Sequence, residues 1–188
     1  MIDRPVPGVV RVWLVDLDAP FDDSCLDAAE RARAATIKRP DAARRWAASR
    51  AALRALLGSS TGLAPAQVAL APAGPQAPVG GLHVSISHSY SVAAIALALE
   101  PVGVDLERDR PLEQPELLAA RLGPAALNRV RAAAPEGRSA AFLREWTRHE
   151  ASLKLAAGDP WLSDLQIPDA TGALAAHQPL TPVVCGWR

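Results

Sequence analysis

Three carboxylates and one lysine are the residues of this sequence whose types and spacing could do chemistry. Asp105 and Glu107 lie two positions apart in the segment Gly-Val-Asp-Leu-Glu, and Glu150 and Lys154 lie four apart further along the chain. Mg²⁺ prefers oxygen ligands, often one or two carboxylates together with waters and phosphate oxygens. A lysine ammonium beside such a site can contact a phosphate oxygen. Together these residues predict a divalent-metal site equipped for phosphoryl-transfer chemistry.

The first two carboxylates require a strand to project them together. Side chains alternate between the two faces of a strand, so Gly103, Asp105 and Glu107 share one face while Val104 and Leu106 share the other. This pattern predicts a strand anchored by its apolar face, with both carboxylates on the opposite face. Taken alone, the Asp-x-Glu spacing is more typical of a strand that ends in solvent, and that alternative stays open.

The third carboxylate and the lysine require a helix. Trp146, Glu150 and Lys154 are four residues apart in sequence, which places them along one helix face. Glu150 can then supply the third metal ligand, with Lys154 one turn beyond it. The alternative is an ordinary surface pair of Glu and Lys, worth about 0.3–0.5 kcal/mol. We expect Trp146 to pack in the core.

A second candidate group is the strand end Ser87-His88-Ser89. Neighbouring side chains on a strand point to opposite faces, so Ser87 and His88 are unsuited to a nucleophile–base pair. A histidine flanked by small hydroxyl residues is better suited to binding an anion, although a locally bonded turn histidine remains an alternative. The chain has no glycine-rich nucleotide-binding loop of the Walker or dinucleotide type.

Basic residues cluster upstream of that strand end. One acidic residue, Asp41, opposes them, and the cluster consists of Arg31, Arg33, Lys38, Arg39, Arg44, Arg45, Arg50 and Arg54. The pattern fits an anion site for a phosphorylated ligand and fits a solvated helix face equally well.

Length, composition and net charge limit the classes of protein to which this sequence can belong. A chain of 188 residues with 49% hydrophobic residues can form one domain, or two small packed halves, without disulfides. A net charge of zero gives no general argument for nucleic-acid binding. The longest apolar run, residues 92–99, is too short to span a bilayer, and the N-terminus lacks the layout of a signal peptide. We therefore expect a cytoplasmic protein with reduced Cys25 and Cys185.

Periodicity and turn signals predict an α+β fold. Strands are predicted over residues 9–17, 83–88, 91–100 and 102–106, and around 165–167 and 183–184. Helices are predicted from caps at 22–24 to about 36, over 41–57 and over 139–157, with shorter helical pieces between 111 and 137. Two rounds of helices plus a small antiparallel sheet predict two pseudo-duplicated halves, residues 1–100 and 101–188.

In this order the motifs resemble those of 4′-phosphopantetheinyl transferases of the Sfp (surfactin synthetase-activating) type. That family combines a Ser-His strand end, a Gly-[Ile/Val]-Asp-x-Glu strand and a Trp-[Ser/Thr]-x-Lys-Glu-[Ala/Ser]-x-x-Lys helix. The corresponding segments here are 87–89, 103–107 and 146–154, and an upstream arginine helix with Arg45 and Arg54 also matches. The resemblance covers most of the chain, from about residue 28 to residue 167.

The resemblance implies a Mg²⁺-dependent transfer of 4′-phosphopantetheine from coenzyme A to a serine of an acyl or peptidyl carrier protein, with release of 3′,5′-ADP. Asp105, Glu107 and Glu150 would hold Mg²⁺ on the pyrophosphate of coenzyme A. Glu150 would also help deprotonate the carrier serine. Lys154 would contact the pyrophosphate and help the leaving group depart.

The resemblance also implies a site for the other end of coenzyme A. Arg45 and His88 would hold its 3′-phosphate, with Ser87 nearby, so the first half would carry a coenzyme A-binding helix. The pseudo-duplicated halves suggest a monomer. Neither a nucleic acid nor a membrane is expected as a partner.

Two departures from the family pattern keep an alternative function open. His149 stands where the family has a lysine, and a histidine is neutral through much of the physiological pH range. The loop 74–78, Gly-Pro-Gln-Ala-Pro, lacks the lysine that usually borders the adenine. The alternatives are a homologue that binds coenzyme A or a carrier protein without turnover and, ranked lower, a metal-dependent phosphohydrolase.

Overall fold

The computed structural model describes residues 4–71, 77–156 and 158–187, and the chain divides into two compact units. Unit 1 comprises residues Met1–Pro101 and Leu180–Arg188, and unit 2 comprises Val102–Pro179. The elements in chain order are β1 (Val9–Asp16), α1 (Ala28–Ala35), α2 (Pro40–Thr61), β2 (His83–Ser89), β3 (Val92–Ala98), β4 (Val102–Arg108), α3 (Pro115–Leu122), α4 (Pro124–Ala132), α5 (Arg138–Leu155), β5 (Trp161–Ile167), β6 (Ala170–Ala176) and β7 (Thr181–Trp187). Single 3₁₀ turns lie at Pro65–Gln67 and Pro135–Gly137.

The two units share one topology. Each consists of a strand, then helices, then a β-hairpin whose second strand pairs antiparallel with the first strand of the unit. The sheet order is therefore β2-β3-β1 in unit 1 and β5-β6-β4 in unit 2. Unit 1 adds β7, which pairs parallel with β1. The structure confirms the predicted α+β class.

The core of unit 1 lies between its sheet and α2. Leu53, Leu56 and Leu57 of α2 are fully buried and pack against Ile95 and Leu97 of β3. Trp46, near the start of the same helix, is only half-buried.

In unit 2, α5 packs closely on the sheet formed by β4, β5 and β6. A Cβ atom at Gly103 would collide with the carbonyl oxygen of Ala151 and lie 3.0 Å from the backbone nitrogen of Leu155. Ala173 and Ala175 of β6 complete this contact with their small side chains. Because residues alternate along β4, the face that meets α5 at Gly103 is also the face of Asp105 and Glu107.

Several predicted elements differ from the structure. The predictions omitted β6, since its sequence Ala-Thr-Gly-Ala-Leu-Ala-Ala has low strand propensity and small residues suited to contact with α5. Helix α2 continues through Gly58 to Thr61 and ends at Gly62, which has a positive φ. The lack of a side chain at Gly58 leaves room for the carbonyl oxygen of Leu63. Asp27, rather than a residue of 22–24, caps α1.

The predicted second half also requires a correction at its end. Residues 180–188 belong to unit 1 instead of the half 101–188, because β7 extends the first sheet beside β1. That sheet is consequently mixed rather than purely antiparallel. A parallel pairing between distant segments leaves no local sequence signal, which explains the error.

Within unit 1, an ion network joins α1 to α2. The side chain of Glu30, which is fully buried, accepts hydrogen bonds from Arg50 Nε at 2.8 Å and from Arg54 Nε at 2.7 Å. Arg54 also donates to Asp27 at 2.8 Å and to the carbonyl oxygen of Val68 at 2.8 Å. Arg50 donates to the carbonyl oxygen of Ala71 at 2.7 Å. These two arginines therefore hold the core of unit 1 together.

The structure also bears on the predicted state of the cysteines and on membrane spanning. Cys25 and Cys185 are free cysteines, and both are half-buried. Within the described part of the chain, no helix combines the length and apolar character needed to cross a membrane.

We expect the substitution Gly103→Ala to lower the free energy of unfolding by about 1–3 kcal/mol, because the added methyl group overpacks the contact between β4 and α5. The measurement is urea denaturation followed by circular dichroism. Gly158→Ala is the matched control, since a Cβ there meets nothing within 4 Å. Equal denaturation midpoints for both variants would contradict the close packing at Gly103.

We expect Glu30→Gln to lower the free energy of unfolding by about 3–5 kcal/mol, because it removes the charge that compensates two buried arginines. The control is Arg39→Gln, which breaks the exposed pair of Arg39 with Asp41 and should leave the denaturation midpoint unchanged. If both substitutions shift the midpoint equally, the network around Glu30 does not stabilise the fold in this way.

Candidate active site

The predicted carboxylate site lies in unit 2, where β4 meets α5. Asp105 is in the middle of β4 and only 5% exposed. Val104 and Leu106, on either side of it, are buried with their side chains on the opposite face of the strand. The apolar face thus anchors β4, as the alternation predicted, and the carboxylate of Asp105 lies on the face toward α5.

Lys154 provides positive charge at this carboxylate. Its Nζ donates to Asp105 Oδ1 at 2.7 Å and to the carbonyl oxygen of Val104 at 3.0 Å. The lysine side chain is 30% exposed, so its ammonium reaches both the buried strand and solvent. Burying a carboxylate without a compensating cation would be costly, and Lys154 supplies that cation.

Glu107 and Glu150 lie on the elements that frame this pair. Glu107 follows Asp105 on the same face of β4, near the end of the strand, and is half-buried. Glu150 lies one helical turn before Lys154 on α5 and is also half-buried. The structure therefore brings Asp105 and Lys154 into direct contact. Glu107 lies two residues after Asp105 on β4, and Glu150 lies four residues before Lys154 on α5.

The donor chemistry of this group fits Mg²⁺. All three acidic side chains offer oxygen ligands, and the Lys154 ammonium already acts as a stand-in cation at Asp105. In residues 4–71, 77–156 and 158–187, however, no three His, Cys, Asp or Glu side chains form a ready-made metal cluster. The assignment of Asp105, Glu107 and Glu150 as metal ligands stays a prediction.

A second group of predicted site residues meets in unit 1. Arg45 of α2 and His88 of β2 line one cleft of about 350 Å³, together with Arg39, Ser89 and Tyr90. Asp41 and Ala42 complete its lining. Ser87 is buried within β2, on the strand face opposite His88. The cleft combines two arginines and a histidine, a set of donors suited to an anion.

Two exposed carboxylates, Asp18 and Asp41, balance the charges of Arg45 and Arg39. The guanidinium of Arg45 donates through Nε and Nη2 to both oxygens of Asp18, at 2.8 and 2.9 Å. This hydrogen bonding lowers the pKa of Asp18 and raises that of Arg45. Hydrogen bonding from Arg39 likewise lowers the pKa of Asp41. An anion that binds in the cleft would thus contact arginines that are already paired with Asp18 and Asp41.

The structure separates the basic cluster of residues 31–54 into groups with different surroundings. Arg54, which belongs to the family-like motif, is 1% exposed and bonded to Glu30, so it cannot face a ligand. Arg31 and Arg33 donate to Asp23 and Thr36 on the surface. Only Arg39 and Arg45 of the cluster are among the residues lining the cleft beside His88.

Tyr90 was not foreseen as a site residue, and its only sequence signal was its position directly after the Ser-His-Ser strand end. Arg39, which also lines the cleft, belongs to the predicted basic cluster. His149 is exposed and lines a separate cleft of about 420 Å³ in unit 2, with Arg129 and Arg148. Residues Gly74, Pro75 and Gln76 of the altered loop 74–78 lie outside the described residues.

Comparison with known proteins identifies the family. No protein-family model matches the chain. A curated relative, the 4′-phosphopantetheinyl transferase HetI of Nostoc sp., is 34% identical over 164 residues, which cover 80% of this chain and 69% of HetI. The match extends over most of both proteins, far beyond the three short motifs. The chain therefore belongs to the 4′-phosphopantetheinyl transferase family.

Proposed function

We propose that this protein transfers 4′-phosphopantetheine from coenzyme A to a serine of an acyl or peptidyl carrier protein. The products are the holo-carrier and 3′,5′-ADP. The observation that carries the proposal is the contact of Lys154 with Asp105, which joins two family motifs distant in sequence. The 34% identity to HetI supports the same reaction class. We place the protein in the cytoplasm as a monomer.

In this proposal, Asp105, Glu107 and Glu150 hold Mg²⁺ at the pyrophosphate of coenzyme A. When bound, the ion neutralises negative charge on the phosphate oxygens. The lysine contact at Asp105 supports this assignment, because a buried carboxylate that pairs with an ammonium also suits a metal ion.

Glu150 and Lys154 also act directly in the transfer step. The serine oxygen of the carrier forms a bond to the β-phosphorus of coenzyme A, and the bond from that phosphorus to the bridging oxygen breaks. Glu150, directly or through a water, accepts the serine proton. Lys154 donates a hydrogen bond to the pyrophosphate and stabilises the charge that develops on the departing 3′,5′-ADP.

The cleft of unit 1 receives the 3′-phosphate. Arg45 and His88 line it together and are the residues whose donors would contact the phosphate, with Ser87 in a supporting position on β2. Arg39 adds a second guanidinium to the same lining. A guanidinium can bind two phosphate oxygens at once, which makes arginine suited to this role.

The second candidate is a homologue that binds coenzyme A or a carrier protein without turnover. The observation that favours it is the exposed His149 in place of the family lysine, in the cleft with Arg129 and Arg148. A Mg²⁺-dependent rise in the melting temperature with coenzyme A, without modification of any carrier, would favour this alternative.

We expect an apo carrier protein incubated with this protein, coenzyme A and Mg²⁺ to gain the mass of one phosphopantetheine group, and EDTA to abolish the gain. Asp105→Asn and Glu150→Gln should each lower turnover by about a hundredfold or more, because each removes a charge at the reacting phosphate. The measurement is mass spectrometry of the carrier, with circular dichroism to verify that the variants are folded. Wild-type rates in folded variants would remove the metal assignment.

We expect Lys154→Met to lower kcat more strongly than it raises KM for coenzyme A, because its ammonium stabilises charge that develops during transfer. The matched control is Lys38→Met, which changes the only other lysine of the chain, an exposed member of the basic cluster that does not line the cleft beside His88. A normal kcat with a raised KM would show that Lys154 contributes to binding alone.

A further inference from the structure

Tyr90 has an unusual backbone conformation for its residue type. It lies in the two-residue turn between β2 and β3, where Ser89 pairs with Val92. Its φ angle is +55°, in the left-handed region that bulky side chains rarely adopt. Two-residue hairpin turns require positive φ and favour Gly, Asn or Asp there. A tyrosine at this position is not explained by the turn.

The corresponding turn of unit 2 shows that the fold does not need an aromatic residue. Pro168 and Asp169 connect β5 to β6, and Asp169 also has a φ of +55°. Aspartate tolerates this conformation much better than tyrosine does. The two hairpin turns thus place different residue types at positive φ. Of the two residues, Tyr90 of unit 1 has the bulky side chain.

The surroundings of Tyr90 indicate what its side chain does. The residue is 52% exposed, so it contributes little to the hydrophobic core. It lines the cleft of about 350 Å³ beside Arg39, Arg45 and His88, the donors suited to an anion. An aromatic ring at the edge of a cationic cleft suits a ligand that joins a phosphate to a flat ring system.

We propose that Tyr90 stacks on the adenine base of coenzyme A and thereby selects nucleotides over other phosphorylated ligands. This inference rests on the proposed function, in which Arg45 and His88 hold the 3′-phosphate. The base and that phosphate are attached to the same ribose, so the base must lie within one sugar of the cleft. Stacking of a base on an aromatic side chain then adds affinity that phosphate contacts alone do not supply.

The test compares binding of 3′,5′-ADP and inorganic phosphate by calorimetry in wild-type protein and in Tyr90→Gly and Tyr90→Phe. Tyr90→Gly should weaken 3′,5′-ADP binding about tenfold and leave phosphate binding unchanged. Tyr90→Phe should retain near-wild-type affinity, because the ring is preserved. Glycine accepts the positive φ, so the melting temperature of Tyr90→Gly should be equal to or above that of the wild type.

Asp169→Gly is the matched control, since it relieves the same backbone angle in unit 2 and should not affect 3′,5′-ADP binding. Unchanged 3′,5′-ADP affinity in Tyr90→Gly would overturn the stacking proposal alone. An equal loss in Tyr90→Phe, or an equal loss of phosphate affinity in Tyr90→Gly, would also overturn it in favour of a contact through the hydroxyl or to the phosphate. If wild-type protein does not bind 3′,5′-ADP, the proposed coenzyme A site fails together with the inference.

Discussion

The close packing of α5 on β4 is the constraint on which the candidate catalytic residues depend. Gly103 admits the helix backbone, and this brings Lys154 within 2.7 Å of Asp105. A larger residue at position 103 would move the helix away from the strand and separate the lysine from the carboxylate. The alanines of β6 serve the same purpose, since their small side chains lie under α5. The contact between β4 and α5 therefore provides both the packing of unit 2 and the cation that compensates the charge of Asp105.

Unit 1 uses its charged residues in two different ways along one helix. Arg50 and Arg54 point into the core, where Glu30 and backbone carbonyl groups satisfy their donors. Arg45 lies a turn or more earlier on α2 and reaches the cleft beside His88. The buried arginines hold α1 and the segment after α2 in place, so they support the element that presents Arg45. Their contribution to the site is structural.

The two units share a topology but present different charged groups. Both place helices against a three-strand arrangement with the same pairing order, but unit 1 presents donors suited to an anion and unit 2 presents carboxylates with a lysine. The extra strand β7 distinguishes unit 1.

Local spacing predicted the carboxylates and the lysine of the candidate site, and the structure brings two of them, Asp105 and Lys154, into contact. Alternation along a strand put Asp105 and Glu107 on one face, and the four-residue interval put Glu150 and Lys154 on one side of a helix, because both periods are properties of the backbone alone. Local spacing did not reveal that Arg54 is buried, that β6 exists, or that β7 pairs with β1. Those features depend on contacts between residues distant in sequence. The type of chemistry was thus determined by the sequence, whereas tertiary packing decided which charged groups meet each other and which remain available to a ligand.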